Sequence, residues 1–245
     1  MGTTSNGNGA TYAAPARFSL NPELLQQVFE YAKPLGHGEQ AAALNLGFGF
    51  LYYGMVRALR PKHVVVIGSG YGFSVVCLAL GLKDNHQGSL SFVDPSYSLL
   101  MDGPTRTIGG VNFWRDPAQV RAHFARFGVE DVVTHYKQTS EEFFGHFEET
   151  GLPTIDLAFI DGNHSYIHVQ RDVAATLKRS HRNTYLLLHD TNIYIREFLR
   201  HAGVKRWLRK KAARRKDAFE YVDFPFASGV AVIRVLQPQV WKQLE

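Results

Sequence analysis

The chain has 245 residues, 45% of them hydrophobic and 20% charged, with a formal net charge of +5. This composition excludes a disordered or fibrous chain and is long enough for one large α/β domain with its own core. A single cysteine, Cys77 in the apolar run VVCLAL, excludes an internal disulfide framework; it reads as a core residue and fits a reducing, cytoplasmic setting.

The N-terminal MGTTSNGNGATYAAPA lacks an apolar h-region, so residues 1–16 are expected to be a disordered tail rather than a signal peptide. Residues 17–245 are expected to form one domain: N-terminal helices over 17–60, then an α/β core over 61–245. Asn21-Pro22 is a good helix start, and Leu24, Leu25, Val28 and Phe29 follow with helical spacing. A second helical segment is predicted over 39–59, ending before Arg60-Pro61. The β-branched run 64–67 lacks alternation and suits a strand covered on both faces. The run 64–82 carries no charge and has the length of a membrane span, but the three glycines in its first half indicate a strand, a turn and a helix.

The rhythm then repeats. Strands are predicted over 90–93, 132–136, Ile155–Ile160 and 184–188. A helix marked by Val120, Phe124 and Phe127 precedes the second of these. Another, marked by Val169, Val173 and Leu177, precedes the last. Alternation of this kind implies a Rossmann-like, doubly wound, mostly parallel sheet with helices on both faces. Phe219–Phe224 and 230–236 are joined by a loop too short for a crossover helix, so they should close the sheet as an antiparallel pair.

Each parallel strand ends in glycine or polar residues: Gly68, Asp94, Gln138 to Ser140, Asp161, and His189-Asp190. Ligands of open α/β sheets bind beyond these carboxyl ends. Capping could explain any one of them, though hardly all five in register. In IGSGYGFS the glycines are Gly68, Gly70 and Gly72, and Phe73 stands where a dinucleotide fingerprint wants a third small residue. That favours a nucleoside without a pyrophosphate. Asp94, 22 residues after Gly72, can take two ribose hydroxyls.

Over residues 45–236 the sequence resembles the class I S-adenosylmethionine-dependent methyltransferases, in the form of small metal-dependent O-methyltransferases. VVVIGSGYGFSVV is similar to that family's first motif and FVDP to its second. FIDGNHSYIHVQRDV and LLLHDTN are similar to its catalytic strand ends. The resemblance implies S-adenosyl-L-methionine as cofactor and methylation of an oxygen on a small-molecule acceptor. It places Gly68, Ser69, Gly70 and Gly72 under the methionine moiety and Ser74 on its carboxylate at a helix N-terminus. It puts Asp94 on the ribose, Ser140 near the adenine, and Asp161 at both cofactor and catalytic positions. Mg²⁺ would be held by Asp161, Asp190 and Asn192. Two departures stand out: Val66 replaces the family's acidic residue two positions before the first glycine, and Thr191 separates Asp190 from Asn192.

His164 reads equally as a general base, an additional ligand or a helix-capping residue. His189 reads as structural. Trp114 and Phe113 read equally as a cover for an aromatic acceptor and as core. The rival functions are an NAD-type oxidoreductase and a non-methylating protein of the same fold. The run 205–216, KRWLRKKAARRK, holds eight basic residues, and without them the chain sits near −3: 19 basic against 22 acidic. The charge is thus one patch, which argues against a nucleic-acid binder. As a helix the run puts Trp207, Leu208 and Ala212 on one side. It is either a solvated face or a site for an anionic acceptor. A homo-oligomer stays open.

Overall fold

A computed structural model describes residues 18–97, 112–192 and 203–244, together with the backbone of 101–102 and 105–106. The N-terminal tail lies outside the described residues.

Helix α1 (Pro22–Gln27) starts as the sequence predicts, with the Asn21 side chain accepting from the Leu24 N–H; a π turn, Val28–Ala32, extends it. The helix expected over 39–59 is shorter. Its first half is a bridged turn pairing Gln40 with Asn45, because Leu44 and Gly47 sit at φ 50° and 56°, outside the helical region. Helix α2 is Phe48–Leu59.

The sheet contains β1 (His63–Ile67), β2 (Ser89–Val93), β5 (Val133–Tyr136), β6 (Ile155–Ile160), β7 (Ser180–His189), β8 (Phe219–Phe224) and β9 (Val230–Val235). Its order is β5-β2-β1-β6-β7-β9-β8. A short antiparallel pair, β3 (Met101–Asp102) and β4 (Thr105–Arg106), stands apart. The first five strands of the order are parallel, and β9 pairs antiparallel with both β7 and β8. The doubly wound architecture and the C-terminal antiparallel pair are therefore as expected. Strand order reverses between β1 and β6, which puts the switch point of the sheet between Gly68 and Asp161.

Alternation along the strands divides the interior in two. Val64, Val66, Phe92, Leu157, Phe159 and Leu187 face α2, α3 (Phe73–Asn85) and α4 (Pro117–Ala125), where Cys77 is buried. Val65, Ile67, Ala158, Ile160, Leu186 and Leu188 face α5 (Ser140–Gly145), α6 (Tyr166–Lys178) and α7 (Val204–Lys210). Both faces of the central strands are dry, which is why they read as continuous apolar runs. Helix α5, not foreseen, is started by a capping box: Glu142 N–H donates to Thr139 Oγ1 and Thr139 N–H to the Glu142 carboxylate. No helix among the described residues is long and apolar enough to cross a membrane.

Candidate active site

The ends of β1, β2 and β6 are laced together. Gly68 N–H donates to the Val93 carbonyl at 2.9 Å, and Asp161 N–H to the Ile67 carbonyl at 2.8 Å. Gly68, at φ 69°, lies so close to β6 that a Cβ there would stand 2.6 Å from the Asp161 carbonyl oxygen. Only glycine admits this contact, and it brings the glycine loop against the end of β6. The loop closes through Gly72 N–H to Ser69 O, and α3 begins at Phe73. The Ser69 and Ser74 hydroxyls are buried and bonded to each other.

Asp94 ends β2 and turns its carboxylate back to the loop, accepting from the Ser96 N–H at 2.7 Å and from the Ser69 backbone. Burial pushes its pKa up to about 6; the two N–H groups oppose the rise and the Asp161 charge adds to it. Ser140, at the start of α5, donates its hydroxyl to Asp172 Oδ1 on α6. Burial pushes Asp172 up to about 6, with that hydroxyl working against it. Trp114 is buried behind the glycine loop and belongs to the core, so of its two readings the packing one holds.

Asp161 and Asp190 come from the neighbouring parallel strands β6 and β7, and their carboxylates converge. Two imidazoles join them. His164 Nε2 stands 3.0 Å from Asp161 Oδ1 and 3.1 Å from Asp190 Oδ2. His189 Nδ1 stands 3.1 Å from Asp161 Oδ1 and 3.1 Å from Asp190 Oδ1. The four groups form a closed ring of alternating acid and base. Asp190 reaches it from a backbone at φ 65°. Burial alone would raise the Asp161 pKa, but the His189 charge and the His164 and His189 hydrogen bonds outweigh it and hold the carboxyl well below the usual range. Asp190 is likewise held low: His164 and His189 outweigh its burial. Burial works against a charged His189, yet Asp161 and Asp190 lift its pKa to about 10. His189 is therefore a buried cation at neutral pH, more than the structural neighbour the sequence suggested.

One residue of this site escaped the sequence reading. His37, between Gly36 and Gly38, stacks on His189 at 4.3 Å and 30° and bonds the Tyr52 hydroxyl through Nδ1 at 3.0 Å. Burial, then the His189 charge, pushes its pKa down to about 3. A neutral imidazole thus lies flat on a charged one. The one available signal was a lone histidine between two glycines.

Asp161, His164 and Asp190 each offer a ligand atom, all within 4.8 Å of one another, a donor set that fits a divalent cation. Asn192 is spent differently. Its amide Nδ2 donates to the Pro225 and Ala227 carbonyls and its N–H to Ser228 O, which ties the end of β7 to the β8–β9 turn. Its Oδ1 is buried without a hydrogen-bond partner among the described residues. The basic helix α7 buries Val204, Trp207 and Leu208, and the turn after it buries Ala212, as the spacing implied. It starts at Gly203, packed on the His164 carbonyl, and Arg206 lies over the Tyr166 ring at 5.0 Å.

Residues 65–191 match the family described as a methyltransferase domain. The chain belongs to this family. The methyltransferase-domain segment runs from β1 through Thr191 and so contains both halves of the crevice. The fold is that of the class I methyltransferases. The O-methyltransferase TomG of Streptomyces achromogenes, solved with S-adenosylmethionine, superposes with a TM-score of 0.60 at 15% identity over 88% of each chain. An O-methyltransferase of Bacillus cereus, solved with S-adenosylhomocysteine, does so at 0.62 and 15%, covering 88% of this chain and 92% of that one. The methyltransferase PaMTH1 of Podospora anserina, bound to S-adenosylhomocysteine, gives 0.57 at 17% over 89% of each. Among curated sequences, the uncharacterized protein y4gI of Sinorhizobium fredii is 24% identical over 189 residues, 73% of this chain. The match spans only 18% of that relative's length. Family membership favours the methyltransferase expectation over the NAD-type oxidoreductase.

Proposed function

We propose that the chain transfers a methyl group from S-adenosylmethionine to a hydroxyl oxygen of a small-molecule acceptor, with a divalent cation, Mg²⁺, assisting. The observation that carries this reading is the contact between Gly68 and Asp161, which joins a backbone-lined glycine loop to a charged ring in one crevice. S-adenosylmethionine supplies an electrophilic methyl group on its sulfonium. Gly68, Ser69, Gly70 and Gly72 offer it close backbone approach, and Ser74 lies at the N-terminus of α3, where an anionic group is favoured. Asp94 is the ribose acceptor and Ser140 flanks the adenine side. Phe73 keeps the loop unsuited to a pyrophosphate.

On the opposite wall Asp161 and Asp190 orient the His164 imidazole through its Nε2–H, and in the cation-free case that ring is the general base for the acceptor's hydroxyl proton as the C–O bond forms and the C–S bond breaks. Most of the acceleration would come from holding the nucleophile in line with the methyl group. With the cation bound, Asp161, His164 and Asp190 would be its ligands, with the buried Oδ1 of Asn192 as the remaining candidate, and its contribution is to lower the pKa of a coordinated hydroxyl. An anionic acceptor is part of this reading, since the basic helix α7 starts on the His164 carbonyl. The buried thiol of Cys77 suits a reducing, cytoplasmic location.

Calorimetry with S-adenosylhomocysteine, S-adenosylmethionine and NAD tests the cofactor; binding of NAD alone overturns the reading. Radiolabelled methyl transfer to a panel of hydroxylated acceptors, with chelator and with added Mg²⁺, tests the rest. Chelator should suppress turnover and Mg²⁺ restore it. Full activity in chelator, with a silent Asn192→Ala, would remove the cation and leave methyl transfer standing.

A further inference from the structure

We infer that Trp114 is a positioning residue for the cofactor: one buried indole fixes the glycine loop before any ligand arrives. This rests on the S-adenosylmethionine reading of the crevice. Trp114 Nε1–H donates to the Gly70 carbonyl at 3.0 Å. The far edge of the same ring closes the space behind Gly72, where a Cβ would stand 2.8 Å from Cη2 and 3.2 Å from Cζ2. His123 packs on the same indole at 5.1 Å, and its Nε2 would stand 3.3 Å from that Cβ. Gly70 and Gly72 are thus both held from one side. The other side is left open among the described residues: none of them lies within 4 Å of a Cβ placed on Gly70.

The indole is itself immobilised. It stacks on Phe124 at 5.4 Å and 4°, and meets Phe92 edge-on at 5.0 Å and Phe113 at 4.6 Å. Phe92 also carries His135 at 5.0 Å, and His135 Nε2 bonds the Asp94 carbonyl at 3.0 Å. A single aromatic block therefore anchors the carbonyls of both loops assigned to the cofactor, the methionine side through Gly70 and the ribose side through Asp94. Ordering a loop in advance removes an entropic cost from binding. A loop with three glycines at positive φ would otherwise carry that cost in full.

Trp207 provides the control. It is also fully buried, in the opposite core, and its Nε1 has no hydrogen-bond partner among the described residues. Trp114→Phe and Trp207→Phe delete the same atoms, but only the first removes a bond to the loop. In calorimetry on the full chain, Trp114→Phe should bind S-adenosylhomocysteine about tenfold more weakly, the scale of one lost neutral hydrogen bond, while Trp207→Phe matches the parent. The KM for S-adenosylmethionine should rise with little change in kcat. A folded Trp114→Phe that binds within about twofold of the parent, or that loses no more affinity than Trp207→Phe, overturns the inference. Should Trp114→Phe fail to fold, the Trp207→Phe/Trp241→Phe double variant leaves Trp114 as the only tryptophan of three. Its emission must then be that of a buried, immobile indole, blue-shifted and highly anisotropic, already in the ligand-free chain; a red-shifted or mobile emission that becomes ordered only on titration with S-adenosylhomocysteine overturns the inference. If the parent itself does not bind S-adenosylhomocysteine, the cofactor reading has failed, a result distinct from either.

Discussion

Where β1 ends, the chain turns through Gly68, Gly70 and Gly72, all at positive φ, and the neighbouring groups are neutral aromatics and hydroxyls. Where β6 and β7 end, the two strand ends together supply four ionisable side chains joined in a ring. The first wall is shaped by backbone and volume, the second by charge. They should therefore fail differently. The glycine wall should tolerate pH but not added carbon; the charged wall should tolerate neither a lost partner nor a lost proton.

The largest effect is expected on the charged wall. Asp161→Asn removes the carboxylate that both imidazoles share and leaves His189 a poorly paired buried cation. Breaking a buried pair in this way costs about 3–5 kcal/mol, so denaturant unfolding should show a loss of that size together with loss of turnover. Turnover should fall further than in His164→Ala, in which His189 still bridges both carboxylates. The same ring sets an alkaline limit. The His189 pKa is raised from its ordinary 6.5 to about 10, so its pairing contributes fully below pH 6.5 and is lost as pH rises through 10. In His189→Gln, the stability measured between pH 7 and 10.5 should lose that dependence.

The glycine wall should yield a smaller but sharper contrast. Gly72→Ala meets Trp114 and a backbone at φ 90°, and should cost about 2–3 kcal/mol and weaken S-adenosylhomocysteine binding. Gly70→Ala meets open space at φ 39° and should cost about 1 kcal/mol. Equal thermal shifts in the two variants would remove the aromatic block as the reason for the difference.

Asp94 joins the two regimes, being a charge on the glycine wall. Asp94→Ala should weaken S-adenosylhomocysteine binding by about 1–3 kcal/mol in calorimetry. Because burial lifts its pKa to about 6, the ligand-free carboxyl takes a proton as pH falls below that value, and affinity should decline with it. The smallest effect belongs to the basic patch. Lys210→Glu lies at the exposed end of α7 and should change stability by less than about 0.5 kcal/mol. A rise in acceptor KM in that variant, abolished by salt, would assign the patch to an anionic acceptor.

Much of the crevice was legible because its signals are local. The glycine spacing, the Asp94 interval and the strands ending in Asp161 and Asp190 each lie within a short window of chain. Alternating strands and helices then bring strand ends to one edge by topology. The 39–47 segment misled because its alanines and Leu44 have helical preferences, while the backbone turns at positive φ at Leu44 and Gly47, and the Phe48 N–H bonds the His37 carbonyl. Preference of that kind is weak beside tertiary contact.

By itself, then, the sequence determined the order of elements, the doubly wound sheet and the place of the crevice, since apolar periodicity and glycine spacing depend on neighbours in the chain. Tertiary structure alone decided the charge states and the supports. His189 is a cation because two carboxylates from different strands meet at its Nδ1. His37 is neutral because it is buried against that cation from more than 150 residues away. Trp114 faces Gly70 across 44 residues. Such contacts depend on which atoms share a desolvated volume, and no local pattern records that.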